Sequence, residues 1–402
     1  MRRAWYASCW CALAAAACAA ACSSDTGPSG GSSRLTGRLV AGATNTCALD
    51  HSGAAFCWGA GSSGQLGNGG MAESPTPVRV IGGPYSALSA TDNAVCGLRF
   101  DGAVDCWGGL VDACCGQPVP RATVAVPTRV ASAIRFSHIS LGALAMCGLD
   151  ASHRAFCWGD ESNGALGNGV DSGTSVPPVT PLAGGHVFAS LSEGVFGGCG
   201  LDGTGQAWCW GANIFGELGT GDESSLTVAS TPVAVSGGLR FAQLSVGAAY
   251  ACGVTTTGTT VCWGNNIGAA LGDGTMTGRS SPTPLMGAHF VTVFAGAKND
   301  IVDHTCALDA TGAASCWGTN ESGQLGGPST EVCNFGNGLS CSTSPVAVGG
   351  GLTFTTLALG NSHTCGMVAD GHVYCWGRND EGELGDGTTT TSMAPVLSQF
   401  TP

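Results

Sequence analysis

The sequence predicts an all-β protein assembled from seven copies of one supersecondary module. The run Cys-x9-Cys-Trp-Gly occurs seven times, and its two cysteines are ten positions apart in every copy. A second run, Gly-x-Leu-Gly, follows it in five copies; glycine supplies 67 of the 402 residues, and charged residues are only 10 %. A repeated unit rich in glycine and poor in charge is typical of an array of short strands joined by turns.

The cysteine spacing predicts a β-hairpin in which the two cysteines face each other. With the first cysteine as position 0, residues +4 to +6 form a three-residue loop, whose last residue usually adopts a left-handed conformation. Glycine occupies +6 in six copies, as at Gly53, and the third copy has His153, a residue type that tolerates this conformation. The aspartates after the leucine at +2, such as Asp50 and Asp309, are interpreted as turn residues.

Directly opposed cysteines in an exported chain predict cross-strand disulfides, one in each copy. Two further cysteines share an insertion and are expected to pair with each other. The predicted bonds are Cys47–Cys57, Cys96–Cys106, Cys147–Cys157, Cys199–Cys209, Cys252–Cys262, Cys306–Cys316, Cys365–Cys375 and Cys333–Cys341. A metal site is the alternative, but no CxxC pair accompanies these cysteines. Cys114 and Cys115 are adjacent, and both a vicinal disulfide and free thiols remain open for them.

The rest of each copy predicts two more strands around the hairpin. A proline-bearing extended segment follows Gly-x-Leu-Gly, as at Pro75-Thr76-Pro77-Val78, and an alternating segment follows that, as at residues 240–247. The leucine of Gly-x-Leu-Gly is expected in the core, between tight turns at its glycines. Each unit therefore offers about four short strands, which is the content of one propeller blade.

These motifs, found together and in order, resemble the RCC1 (regulator of chromosome condensation) repeat family, in a secreted bacterial form. The resemblance covers roughly residues 35–400 and rests on the alternating strand, Cys-x-Leu, Cys-Trp-Gly and Gly-x-Leu-Gly. It implies a seven-bladed β-propeller with four-stranded blades. The first copy starts with an alternating strand at residues 34–40 and the last ends with a proline-led strand at residues 394–400. We expect these two strands to share one blade and so close the ring.

The N-terminus predicts export and a lipid anchor. Residues 1–21 have the form of a signal peptide, with Arg2 and Arg3 before an apolar run and small residues before Cys22. Residues 22–34 form a Ser/Gly-rich tether, and residues 35–402 form the propeller. The arrangement resembles a bacterial lipoprotein, in which Cys22 would be acylated. The expected location is the extracytoplasmic cell envelope; simple secretion and an uncleaved membrane anchor remain alternatives.

The charge balance restricts the classes of partner. The chain has 14 Lys and Arg against 27 Asp and Glu, a formal net charge of −13. Such a surface repels phosphate backbones, so we expect no nucleic-acid partner, and membrane contact only through the N-terminal lipid. The negative charge can serve solubility alone, or it can favour the binding of basic partners. We expect a monomer.

The chemistry-bearing residues do not predict an enzyme or a cofactor. His304 and His363 both occur in His-Thr-Cys, a repeat-linked place that favours a turn or core role. The motif tryptophans recur with the turns, so they are also predicted to be structural. The chain has no phosphate loop and no HExxH motif. We therefore expect no catalytic, cofactor-binding or metal-binding residues.

Segments that break the repeat are the candidate binding regions, because such loops commonly carry the specificity of an array. They are residues 110–127, 298–303 and 327–344; neutral surface insertions are the alternative. The candidate partner-binding residues are Asp112, Cys114, Cys115, Asp300, Asp303, Glu331 and Phe335.

Three functions are compatible with these features. The first is a non-catalytic protein that binds a protein or glycan through one propeller face. The second is guanine-nucleotide exchange, which the resemblance implies through the eukaryotic nuclear family member. The third is a polysaccharide-acting propeller enzyme. The leader and the cysteine pairs favour the first.

Overall fold

The protein forms seven antiparallel sheets, one from each repeat, in a computed structural model. The structure describes residues 37–109, 123–130, 132–172, 179–222, 227–285, 287, 289–296, 303–329, 331–333 and 338–402. Residues 35–402 form one compact unit. The lipidation and leader predictions, including Cys22, lie outside the described residues.

Each sheet is a blade. Its four main strands follow one another in sequence from the innermost to the outermost, and in blade 6 an additional strand lies outside the fourth. Blades 1 to 4 consist of β1 Leu39–Ala41, β2 Asn45–Leu49, β3 Ala55–Gly59 and β4 Ser74–Arg79; β5 Tyr85–Ala90, β6 Ala94–Arg99, β7 Val104–Gly109 and β8 Thr123–Arg129; β9 Phe136–Leu141, β10 Ala145–Asp150, β11 Ala155–Gly159 and β12 Thr180–Pro181; β13 Phe188–Glu193, β14 Gly197–Asp202, β15 Ala207–Ala212 and β16 Val228–Ala234.

Blades 5 to 7 have the same plan, with one additional strand, β24, in blade 6. They consist of β17 Phe241–Val246, β18 Tyr250–Thr255, β19 Thr260–Gly264 and β20 Arg279–Pro284; β21 Thr292–Ala295, β22 His304–Leu308, β23 Ala314–Thr319, β24 Glu331–Cys333 and β25 Leu339–Ala347; β26 Thr356–Leu359, β27 His363–Met367, β28 Val373–Gly377 and β29 Ser392–Leu397. Three short 3-10 turns complete the described elements, at Ser162–Gly164, Ala183–Gly185 and Gly349–Gly351.

The innermost strands contact one another in a closed cycle, from β1 through β5, β9, β13, β17, β21 and β26 back to β1. This cycle establishes a seven-bladed β-propeller, as the sequence predicts. The alternating segments are the innermost strands, and the proline-bearing segments are the outermost ones. Outer positions suit proline, because a strand at the edge of a sheet need not donate every main-chain hydrogen bond.

The predicted hairpin register is confirmed. Cys47 pairs with Cys57 and Leu49 with Ala55, and the same register recurs in the other six blades. The loop residue at +6 has positive φ in every copy, from +60° at His153 to +91° at Gly371. Asp50 acts as predicted, because its Oδ1 accepts the main-chain N–H of Ser52 at 2.8 Å and of Ala54 at 2.9 Å.

Eight cysteine pairs are bonded in the structure, and they are the eight pairs that the spacing predicts. The Cα atoms of the seven hairpin pairs are 4.0 to 4.1 Å apart, and those of Cys333 and Cys341 are 5.8 Å apart. The hairpin pairs are fully buried or nearly so. Cys114 and Cys115 lie outside the described residues.

The prediction of a shared closing blade is wrong. Blade 1 is complete within β1–β4 and blade 7 within β26–β29, so none of the sheets in the described residues combines strands of the first and last repeats. The physical reason is the starting point of the repeat: the chain enters on an innermost strand and leaves on an outermost strand. Each repeat therefore makes one whole blade. The ring is closed by contacts between blades 7 and 1, of the kind that joins other neighbours.

The motif tryptophans make the most regular of these contacts, and they are structural as predicted. In six blades the indole Nε1–H donates to the carbonyl oxygen of the second residue of Gly-x-Leu-Gly, or of its counterpart, in the preceding blade. The pairs are Trp58 with Glu383, Trp107 with Gln65, Trp210 with Ala165, Trp263 with Glu217, Trp317 with Ala270 and Trp376 with Gln324, at 2.8 to 3.1 Å. Trp58 closes the ring, since it joins blade 1 to blade 7.

Two belts of side-chain hydrogen bonds reinforce the seams between blades. In the seams from 2/3 to 5/6, a serine Oγ accepts the main-chain N–H of the next inner strand, as Ser140 does from Glu193 at 2.9 Å. In the seams from 5/6 to 7/1, a tyrosine or histidine meets a threonine hydroxyl of the next blade. The pairs are Tyr250 with Thr305, His304 with Thr364 and His363 with Thr46, at 2.8 to 2.9 Å.

Candidate functional site

The strand alternation gives the propeller two different faces. The first is the loop face, formed by the connections from the first to the second strand and from the third to the fourth, such as residues 42–44 and 60–73. The second is the hairpin face, formed by the cysteine hairpins and by the connections to the next blade, such as residues 50–54 and 80–84. The chemistry of the two faces can therefore be compared separately.

The described strand ends that flank the three irregular segments all lie at the loop face. The first segment follows β7 and precedes β8, the second follows β21 and precedes β22, and the third lies between β23 and β25. The sequence alone did not group these segments, because they belong to three different repeats. The alternation of strands brings their ends to one face.

The third departure adds a hairpin to blade 6. Strands β24 and β25 pair antiparallel, and the Cys333–Cys341 bond joins them. The two cysteines pack against Ala269 of blade 5, and Gly274 N–H donates to Thr343 O at 2.9 Å. This hairpin therefore extends over the neighbouring blade at the loop face.

The candidate binding residues fall into three groups. Glu331 is exposed on the added hairpin, where its carboxylate accepts the Thr343 N–H at 2.7 Å. Asp303 does not face solvent as the prediction requires, since it is only 3 % exposed. The residue directly precedes β22, and its Oδ1 accepts the His304 N–H at 3.0 Å. It supports the start of a strand instead of facing a partner. Outside the described residues lie Asp112, Cys114, Cys115, Asp300 and Phe335.

The loops of this face are held in shape by buried asparagines. Asn379 Oδ1 accepts the Leu384 N–H at 2.9 Å, while its Nδ2 donates to the carbonyl oxygens of Thr388 and Thr390 at 3.1 Å. Asn266 repeats this pattern in blade 5, and the leucine contact recurs at Asn213 and Asn320. The face is thus a set of preformed loops, which lowers the entropy cost of binding a partner.

Charge is strongly divided between the faces, among the residues that the structure describes. Arginines concentrate toward the hairpin face: Arg38, Arg79, Arg99, Arg129, Arg135, Arg154 and Arg240. They match the acids there in number: Asp50, Asp101, Asp105, Asp150, Asp202, Asp309 and Asp370. Of the described arginines, two lie toward the loop face, namely Arg279 and Arg378. Arg279 forms an ion pair with Asp273 at 2.6 Å, and Arg378 forms one with Asp380 at 2.8 Å.

The remaining described acids lie toward the loop face. They are Glu73, Asp92, Asp160, Glu161, Asp171, Glu193, Glu217, Asp222, Asp273, Asp303, Glu321, Glu331, Asp380, Glu381, Glu383 and Asp386. Burial raises the pKa of Glu193, Glu217 and Glu383, so these three contribute less negative charge than the exposed acids. The loop face nevertheless carries a large negative excess, whereas the hairpin face is balanced. Sequence reasoning found the net charge but not its division, because the faces are defined only by the fold.

The histidines and aspartates singled out by the sequence serve the scaffold. The Thr46 hydroxyl donates to Glu383 O, so His363 Nε2 carries the ring proton and donates to Thr46 Oγ1. His304 makes the same contact with Thr364, and burial lowers its pKa to about 3. Burial by itself would raise the pKa of Asp202, but hydrogen bonds from Thr204, Trp208 and Gln206 outweigh this effect and lower the pKa to about 2. These groups are committed to holding the blades together and to turns.

Two hollows in the described part of the chain differ in their lining. A small one lies between blades 4 and 5, beside Gly197, Trp210, Glu217 and Tyr250. A groove of about 870 Å³ at the hairpin face is lined by Thr257, Thr259 and Pro282 and by no charged side chain.

One group of side chains in the described residues has the spacing of metal ligands, namely Cys147, Cys157 and Glu193. The two cysteines are bonded to each other, so their sulfurs are not thiolate ligands here. Glu193 was missed by the sequence reasoning. Alignment of the seven inner strands would have found it, because it is the one acid in an otherwise apolar position. No helix among the described residues has the length and hydropathy needed to cross a membrane.

The fold and the seams define a closed seven-bladed β-propeller built from contiguous repeats. Family profiles described as the regulator of chromosome condensation (RCC1) repeat match residues 52–99, 204–254, 302–324, 354–383 and 370–402. The chain therefore contains RCC1-type repeats, as its motifs indicate.

Two curated relatives illustrate the range of proteins that share this repeat. The ultraviolet-B receptor UVR8 of Arabidopsis thaliana is 25 % identical over 367 residues, which cover 89 % of this chain and 80 % of the receptor. The E3 ubiquitin-protein ligase HERC2 of Homo sapiens is 28 % identical over 375 residues, which cover 88 % of this chain and 7 % of the ligase. The repeat is thus shared by proteins of different activity.

Solved structures of similar fold include yeast RCC1 (Prp20), in a complex with Kap60, and human WBSCR16. Yeast RCC1 has a TM-score of 0.72 at 17 % identity, with 86 % of this chain and 83 % of that chain covered. WBSCR16 has a TM-score of 0.73 at 18 % identity, with 86 % and 94 % covered. At these identities the likeness establishes the fold alone.

Proposed function

We propose that this protein is a non-catalytic binding protein whose loop face holds a partner protein with a basic surface. The observation that carries the proposal is the coincidence of two features on that face. The loop face carries an excess of acidic side chains, and the strand ends that flank all three irregular segments lie there. Complementary charge accelerates association and selects among partners.

The partner class follows from the sign of the charge and the size of the face. Anionic polymers and anionic lipid surfaces are repelled by this face. A folded protein or segment rich in arginine and lysine can contact several preformed loops at once. Yeast RCC1, whose fold is similar, was solved in a complex with another protein, Kap60. A glycan partner would be expected to depend less on these charges.

A non-catalytic role is supported by the structural hydrogen bonds of the reactive side chains. His304 and His363 bond to threonines of neighbouring blades, and the recurrent aspartates accept main-chain N–H groups in the hairpin turns. Among the described residues, the acids of the loop face come from all seven blades. Neither of the two hollows described above is lined by the pair of carboxyl groups that glycoside hydrolysis would require.

Neutralising exposed acids of the loop face is expected to weaken partner capture. The variant Glu73→Gln, Asp171→Asn, Glu321→Gln removes three exposed carboxylates from three blades. We expect at least about a tenfold loss of association rate at low ionic strength and a smaller loss at high salt, because salt screens exposed charges. The measurement is surface-based binding kinetics with a partner isolated on the wild-type protein.

The matched control changes the other face. Arg79→Gln, Arg135→Gln removes two exposed charges from the hairpin face and should leave capture unchanged. Trimming residues 110–122 and the β24–β25 hairpin then tests the departures separately. Capture that survives both the acid substitutions and the trimmed loops would refute a binding site on the loop face.

We also propose that the propeller works outside the cytoplasm, tethered by a lipid on Cys22. The support is the signal-like segment before Cys22, the Ser/Gly-rich segment after it, and eight bonded cysteine pairs, which persist in oxidising compartments. Cells that express the protein should incorporate labelled palmitate into it, and the Cys22→Ser variant should lose the label. Equal labelling of both proteins, or of neither, would contradict the anchor.

A further inference from the structure

Glu193 is an exception in a row of otherwise apolar side chains. It occupies the position of the inner strand that pairs with the second residue of the next strand; the other six blades have Ala41, Ala90, Leu141, Val246, Ala295 and Leu359 there. Glu193 is only 3 % exposed, and neither of its carboxylate oxygens has a hydrogen-bond partner. A buried polar group without a partner is costly, so its presence in one blade calls for an explanation.

The residue opposite Glu193 is an exception as well. Gly198 pairs with Glu193, where the other blades have Thr46, Val95, Met146, Ala251, Thr305 and Thr364. A Cβ at Gly198 would lie 2.3 to 2.5 Å from the carboxyl atoms of Glu193. The two exceptions are therefore coupled, because a side chain at 198 would displace the Glu193 carboxyl group from this place.

The carboxyl group lies against the disulfide of the preceding blade. A carboxylate oxygen of Glu193 and the sulfurs of Cys147 and Cys157 are within 4.8 Å of one another. Burial raises the pKa of Glu193 well above its ordinary value, and no charged group opposes this shift. Burial therefore favours the protonated form of the group that faces the disulfide, and this form can give up a proton. The other six hairpin bonds have an alanine, valine or leucine at this place.

We propose that the Cys147–Cys157 bond is a site of thiol–disulfide exchange with a dithiol, and that Glu193 supplies the proton to the departing sulfur. Exchange proceeds by attack of a thiolate on one sulfur, and its rate depends on the leaving sulfur. A positioned acid that protonates a leaving group gives general acid catalysis. The proposal does not depend on the partner-binding role of the loop face.

The exchange balances in two steps. A thiolate of the dithiol attacks one sulfur of the pair, the S–S bond breaks, and its electron pair leaves on the other sulfur, which takes the proton from Glu193. The second thiol of the dithiol loses its proton to the Glu193 carboxylate and attacks the mixed disulfide. The second cysteine leaves as a thiolate and is protonated by solvent. The protein bond is reduced to two thiols, and the dithiol is oxidised to a disulfide.

Access to the buried sulfurs requires local opening of the seam between blades 3 and 4. This seam lacks the threonine hydroxyl that bonds blades 5 and 6, 6 and 7, and 7 and 1, as do three other seams. Gly198 differs from its counterparts there in placing no side chain in the seam at all. The unpartnered carboxyl group weakens the same seam further. Segments with fewer stabilising contacts open at lower free-energy cost than the whole protein. The features that place the acid therefore also favour entry of the dithiol.

The test is the order in which the seven hairpin disulfides are reduced in the native, full-length protein. The protein is incubated with dithiothreitol, free thiols are alkylated at intervals, and the labelled cysteines are mapped by mass spectrometry. We expect Cys147 and Cys157 to be labelled at least about tenfold faster than the other six pairs. Uniform labelling of the seven pairs would overturn the proposal.

Two variants separate proton donation from simple opening. Glu193→Gln keeps the size and the buried polar atoms but has no acidic proton, so we expect exchange at this bond to slow about tenfold and its pH profile to lose the component due to Glu193. Hydrogen exchange of the amides in β13 and β14 should stay at the wild-type rate, which shows that opening is unchanged. Glu217→Gln, a second acid with a raised pKa, should leave the labelling order unaffected. Exchange in Glu193→Gln at the wild-type rate would refute the role of the acid.

Discussion

The Glu193→Leu substitution is expected to raise the free energy of unfolding at pH 7 by about 2 kcal/mol relative to the wild type. The substitution removes a buried carboxyl group without hydrogen bonds and restores the residue type of Leu141 and Leu359, which occupy the same position in their blades. Gly198 leaves room for the new side chain. The measurement is denaturant-induced unfolding under oxidising conditions.

The pH dependence follows from the sign of the shift. Because the folded state raises the pKa of Glu193, the unfolded state releases this proton at lower pH than the folded state does. Stability therefore falls as pH rises from the ordinary value of 4.5 through the pKa of the folded protein. We expect the advantage of Glu193→Leu to be smallest below pH 4.5 and to grow toward neutral pH.

The reciprocal substitution is the control for Glu193→Leu. Leu141→Glu places an acid at the same position of blade 3, but the opposite residue there is Met146 instead of glycine. We expect a loss of stability larger than the gain at Glu193, since the acid lacks both a partner and space. A Glu193→Leu protein that is less stable than the wild type at neutral pH would show that the carboxyl group has a stabilising partner.

Trp58→Ala is expected to lower the free energy of unfolding by about 3–5 kcal/mol. The indole is fully buried, donates to Glu383 O at 2.8 Å and packs against Phe400 with ring centroids 6.1 Å apart. These contacts join the first blade to the last. Because no strand is shared between the ends of the chain, side chains and loops must close the ring.

Two other tryptophans calibrate this effect. Trp317 makes the same kind of contact between blades 5 and 6, so Trp317→Ala should cost about as much as Trp58→Ala. Trp208 lies outside the motif position, is partly exposed, and bonds to Asp202 at 3.2 Å, so Trp208→Ala should cost much less. Thermal unfolding of the three variants provides the comparison. A Trp58→Ala loss as small as that of Trp208→Ala would mean that the closing seam is not essential.

The local structure could be predicted because each part depends on neighbouring residues. The ten-residue cysteine spacing determines the pairing of Cys47 with Cys57, and the residue at +6 determines the turn, including the left-handed His153. The recurrence of Trp58 and its six counterparts showed that they are structural. Such features depend on backbone geometry within one repeat, so seven copies of the pattern leave little freedom.

The closure of the ring and the candidate sites could not be predicted in the same way. The sequence did not show that β1 forms a blade with β2–β4. A blade shared by the first and last strands would contain the same four kinds of strand, so the pattern of strands could not distinguish the two arrangements. Asp303 was selected as a binding residue for its place in an irregular segment, but the fold buries it at the start of β22. Burial depends on contacts with other blades, which spacing along the chain does not reveal.

By itself the sequence determined the all-β class, the seven modules, their hairpin registers and the cysteine pairs, because these follow from short-range spacing repeated seven times. Only the tertiary structure decided which residues share a face and which groups meet across a seam. It gathered the acids and the three irregular segments on the loop face, and it placed Glu193 against the disulfide of another blade. These relations join residues of different repeats, and they exist only once the blades are arranged in a ring.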